Sequence, residues 1–385
     1  HYFKVYFKFR VRKFMKLFKS LLVAPATLGL LAPMSATANE VTINDFAPAE
    51  ELAVTNSRVD GLEARLNNFE AGSFSSTTSA AFSVDMAIGA VDSGAGSEAV
   101  VTAYGFQMDL STSFTGEDTL AVAIDAGDGG NVGQALEELD LNETGDALTV
   151  DGVTYTFPVG EKLTVLVGDS TSGSALYSTA CVYGGFTNVL DDCGNFSSAI
   201  VATGHNDSVG FSAAYDIGGG FTGAIGYQGQ GTANAGLGTD AGVDFYGGQL
   251  TYTGDSYGAS VTYANLDAGT AWGLNGYYTF ASNLPSVSVG YEFTEAEVPN
   301  ADDLEFTQWF IGLQWDEIGP GTLGVALGTD GPQQEDAEEN MAYELFYTYN
   351  VNDGMSITPA IFIVENNQEG QDDQTGVVVK TSFSF

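Results

Sequence analysis

The stretch from Ser286 to Phe293, SVSVGYEF, decides the fold. Every second residue in it is apolar, and the residues between are serine, glycine or glutamate. Successive side chains of a β-strand point to opposite faces, so this alternation predicts a strand with one apolar and one polar face. The apolar row consists of Val287, Val289, Tyr291 and Phe293.

The same period of two recurs from residue 77 to residue 385, and that range has no helical period. The connections between these segments are alternately tight turns and longer loops, and most of the loops are rich in Asp, Asn, Gly and Glu. We mark sixteen segments: 78–91, 99–115, 118–126, 152–157, 161–168, 208–217, 220–230, 243–253, 256–266, 271–281, 285–295, 304–315, 321–329, 341–350, 354–365 and 375–385.

An even number of strands, an apolar face on each, short turns at one rim and long polar loops at the other are typical of an outer-membrane barrel. We therefore predict an all-β fold for residues 77–385, a transmembrane antiparallel β-barrel of about 16 strands. A soluble β-sandwich also alternates and remains the alternative, although its polar face is rarely so poor in Lys and Arg.

Charge in this chain is scarce and one-sided. Seven of the eleven Lys and Arg precede residue 20, so four remain to face 50 Asp and Glu, none of which precedes Glu40. This acid excess excludes nucleic acid as a partner. Glycine accounts for 49 residues and proline for 9, which excludes collagen and proline-rich disorder.

Three segments are predicted before the barrel. Residues 15–38 have a basic start, a short apolar middle and the small-residue end Ala36-Thr37-Ala38, which is typical of a secretory signal peptide. Their apolar run is too short to span a membrane as a helix. We interpret residues 1–14 as upstream translation and residues 39–76 as a periplasmic linker with a short N-terminal coiled-coil helix.

The coiled coil is predicted from apolar residues that recur seven apart between Ala49 and Ala71. A single amphipathic helix that lies on a core is the alternative. The apolar positions of this pattern are Leu52, Val59, Leu62, Leu66 and Phe69.

Placing the apolar row of each strand towards lipid turns the charged residues of the other row inward. This placement is favoured because a lipid-facing Lys or Arg costs about 2–4 kcal/mol at mid-membrane. Each acid alone is also consistent with a hydrated group that has no specific role. The predicted pore-lining residues are Asp85, Asp109, Asp125, Asp216, Glu292, Glu344 and Lys380.

Cys181 and Cys193 lie in the longest predicted loop, residues 169–207. Because the chain is predicted to be exported to an oxidising compartment, we expect a disulfide between them, with two reduced thiols as the alternative.

Residues for catalysis are scarce. His205 is the single histidine after the signal segment, so Ser-His-Asp catalysis and histidine-based metal sites have one candidate base. Asp125, Asp128 and Asn131 offer oxygen atoms but lack the spacing of an EF-hand, which favours a solvated loop. We therefore expect no enzyme, no catalytic residue, no cofactor and no metal site.

Three stretches resemble a known family: ITPAIFIVENNQEGQDDQTGVVVKTSFSF (357–385), SRVDGLEARLNNFEAGSFSSTT (57–78) and YGFQMDLSTSFTGEDTL (104–120). They resemble cyanobacterial outer-membrane porins of the carbohydrate-selective porin (OprB) family, in a short form that lacks the surface-layer homology domain. The resemblance implies that Phe383 and Phe385 form the barrel-assembly signal and that the protein is a homotrimer.

Together these features predict a porin for passive diffusion of small hydrophilic solutes and ions, with a preference for cations. Its partners would be outer-membrane lipid and the diffusing solutes. Two alternatives remain open: a structural outer-membrane protein or adhesin with a plugged barrel, and a porin specialised for metal or inorganic cation uptake.

Overall fold

The computed structural model describes residues 78–92, 99–129, 136–195, 208–229, 236–239, 242–266, 269–281, 283–298, 300, 302–335, 337–366 and 372–385. The chain divides into two compact units, residues 1–79 and 80–385. Of the first unit, only Thr78 and Ser79 belong to the described residues. The predicted upstream segment, signal peptide and coiled coil lie outside the described residues and stay predictions.

The described residues form one antiparallel sheet of seventeen strands. All but β14 have seven residues or more. The strands are β1 (Thr78–Asp92), β2 (Val101–Thr112), β3 (Thr119–Gly127), β4 (Thr149–Val159), β5 (Leu163–Asp169), β6 (Val209–Gly218), β7 (Phe221–Gly229), β8 (Asp244–Thr253), β9 (Tyr257–Asn265), β10 (Gly269–Tyr278), β11 (Ser286–Ala296), β12 (Leu304–Ile318), β13 (Gly321–Thr329), β14 (Gln333–Gln334), β15 (Met341–Asn352), β16 (Met355–Val364) and β17 (Gln374–Ser384). A short 3₁₀ turn covers Asp192–Gly194.

The sheet closes on itself. Each long strand pairs with its neighbours in sequence, and β1 pairs with both β2 and β17. The two-residue β14 pairs with the end of β12, so that β13 pairs directly with β15. At the seam, the backbones of Phe82 and Phe385 exchange hydrogen bonds of 2.9 and 3.0 Å, and their rings stack 5.5 Å apart. The predicted all-β antiparallel barrel of sixteen strands is therefore confirmed.

Large apolar side chains are exposed on the outer face of the barrel. Met86, Trp272 and Leu345 are each close to half exposed, and each belongs to the apolar row of its strand. The opposite row buries small and polar side chains such as Ser212 and Thr262. An apolar exterior around a polar interior is the arrangement that lipid requires of a barrel. No helix in the described part of the chain is long and apolar enough to cross a membrane.

One of the short turns shows how side chains shape the rim. In the β2–β3 turn, Asp118 accepts hydrogen bonds from the N–H of Phe114 at 3.0 Å and from the N–H of Thr115 at 2.7 Å. Its carboxylate also accepts the hydroxyls of Thr115, Ser113 and Tyr155. The Thr115 hydroxyl, joined by the other donors, holds the pKa of Asp118 well below its usual range.

Candidate functional site

The β5–β6 loop, residues 170–208, crosses the interior of the barrel. Its described residues donate backbone hydrogen bonds to side chains on the inner faces of β6, β7, β8, β11, β12 and β15. Strands β6 and β15 lie on opposite sides of the closed sheet. A loop that bonds the polar face of strands on both sides must run through the lumen, which it therefore narrows.

The β3–β4 loop, residues 128–148, also contributes to the interior. Its Leu136, Leu139 and Leu141 belong to the same buried apolar cluster as Tyr183 and Phe186 of the β5–β6 loop. The wall side of this cluster comes from β1, β2, β12, β13, β15, β16 and β17. The N–H of Asn188 donates to the carbonyl of Glu138 at 3.0 Å, which joins the two loops.

Wall glycines make room for these loops. A Cβ on Gly312 would lie 2.6 Å from Cγ of Tyr183, and one on Gly210 would lie 2.7 Å from the carbonyl oxygen of Thr171. At Gly105 the nearest atom is Cα of Leu141 at 3.0 Å. Any larger residue at these positions would push the loop away from the wall, so the glycines permit the close approach of loop and strand.

A single carboxylate on β15 holds the middle of the β5–β6 loop. Glu344 Oε1 accepts the Tyr183 hydroxyl at 2.7 Å and the Phe186 N–H at 3.0 Å. Oε2 accepts the Thr187 N–H at 2.9 Å and the Thr187 hydroxyl at 2.7 Å. Hydrogen bonds to a charged group are each worth about 1.5–3 kcal/mol, so this contact is a strong link between wall and loop.

Cys181 and Cys193 form a disulfide in the same loop, on either side of the residues that Glu344 binds. The bridge closes a segment with a sequence separation of 12. It therefore limits the conformations open to the residues that cross the lumen.

The predicted inward base, Lys380, lies beside a predicted inward acid. Its Nζ is 3.9 Å from a carboxylate oxygen of Asp85 and 5.5 Å from the ring centroid of Phe186. Both charged side chains remain partly exposed. Lys162 is the other base in the described part of the chain, and it lies in the β4–β5 turn over the ring of Tyr215.

Two predicted acids share one patch of the inner face. Asp109 accepts a hydrogen bond from Gln107 at 3.1 Å, and Asp125 accepts the hydroxyl of Thr149. Gln107 is the cross-strand partner of Asp125, so Asp109 is its diagonal neighbour. Asp216 lies apart from this patch, beside the short β6–β7 turn, where it accepts the N–H of Gly218 at 2.8 Å.

Two other predicted pore-lining acids need a correction. Glu292 is 0 % exposed and Glu344 is 3 % exposed, so neither carboxylate lines open water in this structure. Their strands turn them inward as expected, but Glu344 lies beneath the β5–β6 loop and supports it. Alternation cannot separate an inward residue that faces water from one that faces a folded loop.

Several acids of the interior were missed because they lie in predicted loops. Asp140 and Asp151 are exposed, and Asp151 is within electrostatic range of Asp125, Asp140 and Asp109. The predicted segment begins at residue 152 and leaves Asp151 in a loop, whereas β4 begins at Thr149, and its register with β3 shifts between Ala123 and Ile124.

A second group of missed acids lies where loops meet. Burial, together with the charges of Asp330 and Glu137, raises the pKa of Glu138 to about 7. Burial and the Glu137 charge also raise the pKa of Asp330. Glu137 accepts a hydrogen bond from the Gln374 side chain at 2.7 Å. Their loop context gave no signal of burial in the sequence.

Phe383 lies near the end of β17, and Phe385 follows the strand and is 76 % exposed; their role in assembly stays a prediction. In the described part of the chain, no group of three or more His, Cys, Asp or Glu is arranged to hold a metal ion. His205 lies outside the described residues.

A closed barrel with an apolar outer face and polar inner face, crossed by an inserted loop, defines an outer-membrane channel. A sequence profile of the Gram-negative porin family matches residues 71–369. The chain therefore belongs to the Gram-negative porin family and resides in the outer membrane.

Individual relatives are distant. The "Uncharacterized protein alr4550" of Nostoc sp. (strain PCC 7120) is 27% identical over 91% of this chain and 74% of its own length. The fold is similar to that of Pseudomonas putida OprB, with a TM-score of 0.60 at 12% identity over 80% of this chain and 94% of that one. An anion-selective porin from Comamonas acidovorans matches with a TM-score of 0.57 at 14% identity, over 80% and 99%. The narrower expectation of a cyanobacterial short form stays a prediction.

Proposed function

We propose that this porin is a water-filled passive diffusion channel for small hydrophilic solutes and ions, and that it favours cations over anions. The observation that carries the cation preference is the imbalance of inward charge. In the described interior, Lys380 is the one inward base, and it lies 3.9 Å from Asp85. Asp109, Asp125, Asp140 and Asp151 form an acid patch, and the charges that act on Asp151 among the described residues are all acids.

This imbalance acts on ions because the loops narrow the aqueous path. A narrow path with low-dielectric walls concentrates field lines and raises the local concentration of counter-ions. At 0.15 M salt the screening length is about 8 Å, so acids at a constriction act on a passing ion while acids on distant loop tips do not. Neutral sugars feel no such field and are expected to pass without preference.

The test is the zero-current potential of single channels under a salt gradient. Asp109→Asn/Asp125→Asn is expected to reduce the cation preference, strongly at 0.1 M salt and weakly at 1 M. The matched control, Asp302→Asn/Asp303→Asn, removes the same charge from two exposed residues before β12. This control is expected to change the cation preference less. Anion preference of the unmodified protein at 0.1 M, or equal effects of the two pairs, would contradict the proposal.

A barrel plugged by its loops is the second candidate, because the two inserted loops and their apolar cluster occupy part of the interior. Planar-bilayer recording separates the two. Discrete steps of conductance support the channel, and a protein that inserts without conducting supports the plugged barrel.

We also propose a homotrimer, with residues 49–71 contributing a three-stranded coiled coil. Deletion of 49–71 is expected to weaken the trimer. If cross-linking of the intact protein in native membranes yields only monomer, this part of the proposal is wrong.

A further inference from the structure

We propose that Glu344 is the positioning residue that fixes the β5–β6 loop across the lumen, and that it thereby sets the width and the ion preference of the channel. This inference rests on the proposed channel function. Glu344 is buried in the wall and does not contact a diffusing solute. It would nevertheless control which solutes and ions pass through the channel.

Glu344 accepts more hydrogen bonds from the loop than a neutral side chain could. Four donors from Tyr183, Phe186 and Thr187 converge on one carboxylate, two on each oxygen, all between 2.7 and 3.0 Å. An ionised carboxylate offers acceptors only, so all four donors are satisfied at once. No neutral side chain of similar size can do this, because an amide replaces one acceptor with a donor group.

These contacts lie where the loop reaches the opposite side of the barrel. At its start the loop follows the strands next to it, with Gly173 bonded to Gln228 of β7 and Leu176 bonded to Ser212 of β6. Only further along does it reach β15, on the far side of the barrel. The other inner-face acceptors in this stretch, Ser288 and Gln314, are neutral. Glu344 is therefore the charged attachment at the far side of the crossing.

The segment that Glu344 binds is held together by a covalent ring and by aromatic packing. Tyr183, Phe186 and Thr187 all lie inside the ring closed by the Cys181–Cys193 disulfide. The rings of Tyr183 and Phe186 both pack against Phe346, which lies two residues from Glu344 on β15. Loss of the carboxylate would leave four donors from three residues buried beside a hydrophobic wall, and they could regain partners only if the segment moves into the lumen water.

The experiment compares Glu344→Gln with Thr348→Ala in planar bilayers and in liposome-swelling assays. Thr348 is the matched control because it lies on the same strand and its hydroxyl bonds Thr358 of the neighbouring strand β16. We expect Glu344→Gln to change the conductance step on the order of 1.5-fold and to shift both the sugar size limit and the zero-current potential. Thr348→Ala is expected to leave all three unchanged.

A double-mutant cycle distinguishes positioning of the loop from general damage to the wall. Thr187→Val removes one donor from the loop side without touching β15. If Glu344 acts through the loop, Thr187→Val shifts conductance in the same direction, and adding it to Glu344→Gln changes little more. Fully additive effects would overturn the inference.

Folding is monitored by the difference in gel mobility between unheated and boiled protein. If Glu344→Gln does not fold, Tyr183→Phe and Thr187→Val, which keep the carboxylate, carry the test alone. Unchanged conductance, size limit and potential in both would refute the role of Glu344. That result leaves the proposed function intact, whereas absence of conduction by the unmodified protein would refute the proposed function itself.

Discussion

Substitution of Gly312 by alanine tests directly whether the β5–β6 loop is seated against the wall. The new Cβ would lie 2.6 Å from Cγ of Tyr183 and 2.6 Å from Cζ of Phe310, whereas real Cβ contacts are essentially never under 3.0 Å. Both rings are buried, so wall and loop must separate by at least about 0.4 Å. Overpacking of this kind costs about 1–3 kcal/mol.

We therefore expect Gly312→Ala to lower the temperature at which the folded gel band disappears by a few degrees, and to alter single-channel conductance because Tyr183 is displaced from Glu344. The control is Gly276→Ala on β10, where the nearest atom to the new Cβ is 3.5 Å away. In a Tyr183→Ala background the cost of Gly312→Ala should shrink. If Gly312→Ala melts and conducts like the Gly276 variant, the loop does not lie where the structure has it.

Three further predictions concern pH and covalent links. Burial, together with the charges of Asp330 and Glu137, raises the pKa of Glu138 from 4.5 to about 7, so its ionisation opposes folding. The folded form should therefore lose thermal stability as the pH rises from about 4.5 to about 7, and Glu138→Gln should flatten that profile. The lowered pKa of Asp118 acts in the opposite sense: its stabilising effect is present above the usual carboxyl pKa and is lost as the pH falls below about 4, and Asp118→Ala should remove this acid sensitivity of the folded band. Replacing Cys181 and Cys193 by serine should cost about 3 kcal/mol in the chain-entropy estimate for a closed segment of this length, measured as a lower melting temperature, and an unchanged melting temperature would show that the bridge does not constrain the loop.

The barrel could be predicted from the sequence because alternation is a local property of each strand. Residues 286 to 293 show their two faces without reference to any other part of the chain, and β11 has those faces in the structure. The ends of strands are harder to predict where the register between paired strands shifts. The register shift between β3 and β4 near Ala123 leaves no trace in the apolar pattern. The predicted segment therefore begins at residue 152, whereas β4 begins at Thr149.

The interior could be predicted only in part, because it depends on which distant strands a loop meets. In sequence, Asp85 and Glu344 have the same signature, an acid on the polar row of a strand. The structure places the first partly exposed beside Lys380 and the second beneath a loop from 157 to 161 residues away. A usable signal existed in the glycines of the inner row, such as Gly312, since a missing side chain marks a place where another backbone can approach.

The long sequence separation between Glu344 and its donors has a consequence for biogenesis. Strand β15 is synthesised long after the β5–β6 loop, and contacts between such remote parts of a chain form late in folding. The disulfide joins residues only 12 apart, so it can form while the wall is still incomplete. The disulfide can therefore close its segment before β15 is in place, so that docking of the loop on the wall is a folding step distinct from formation of the bridge.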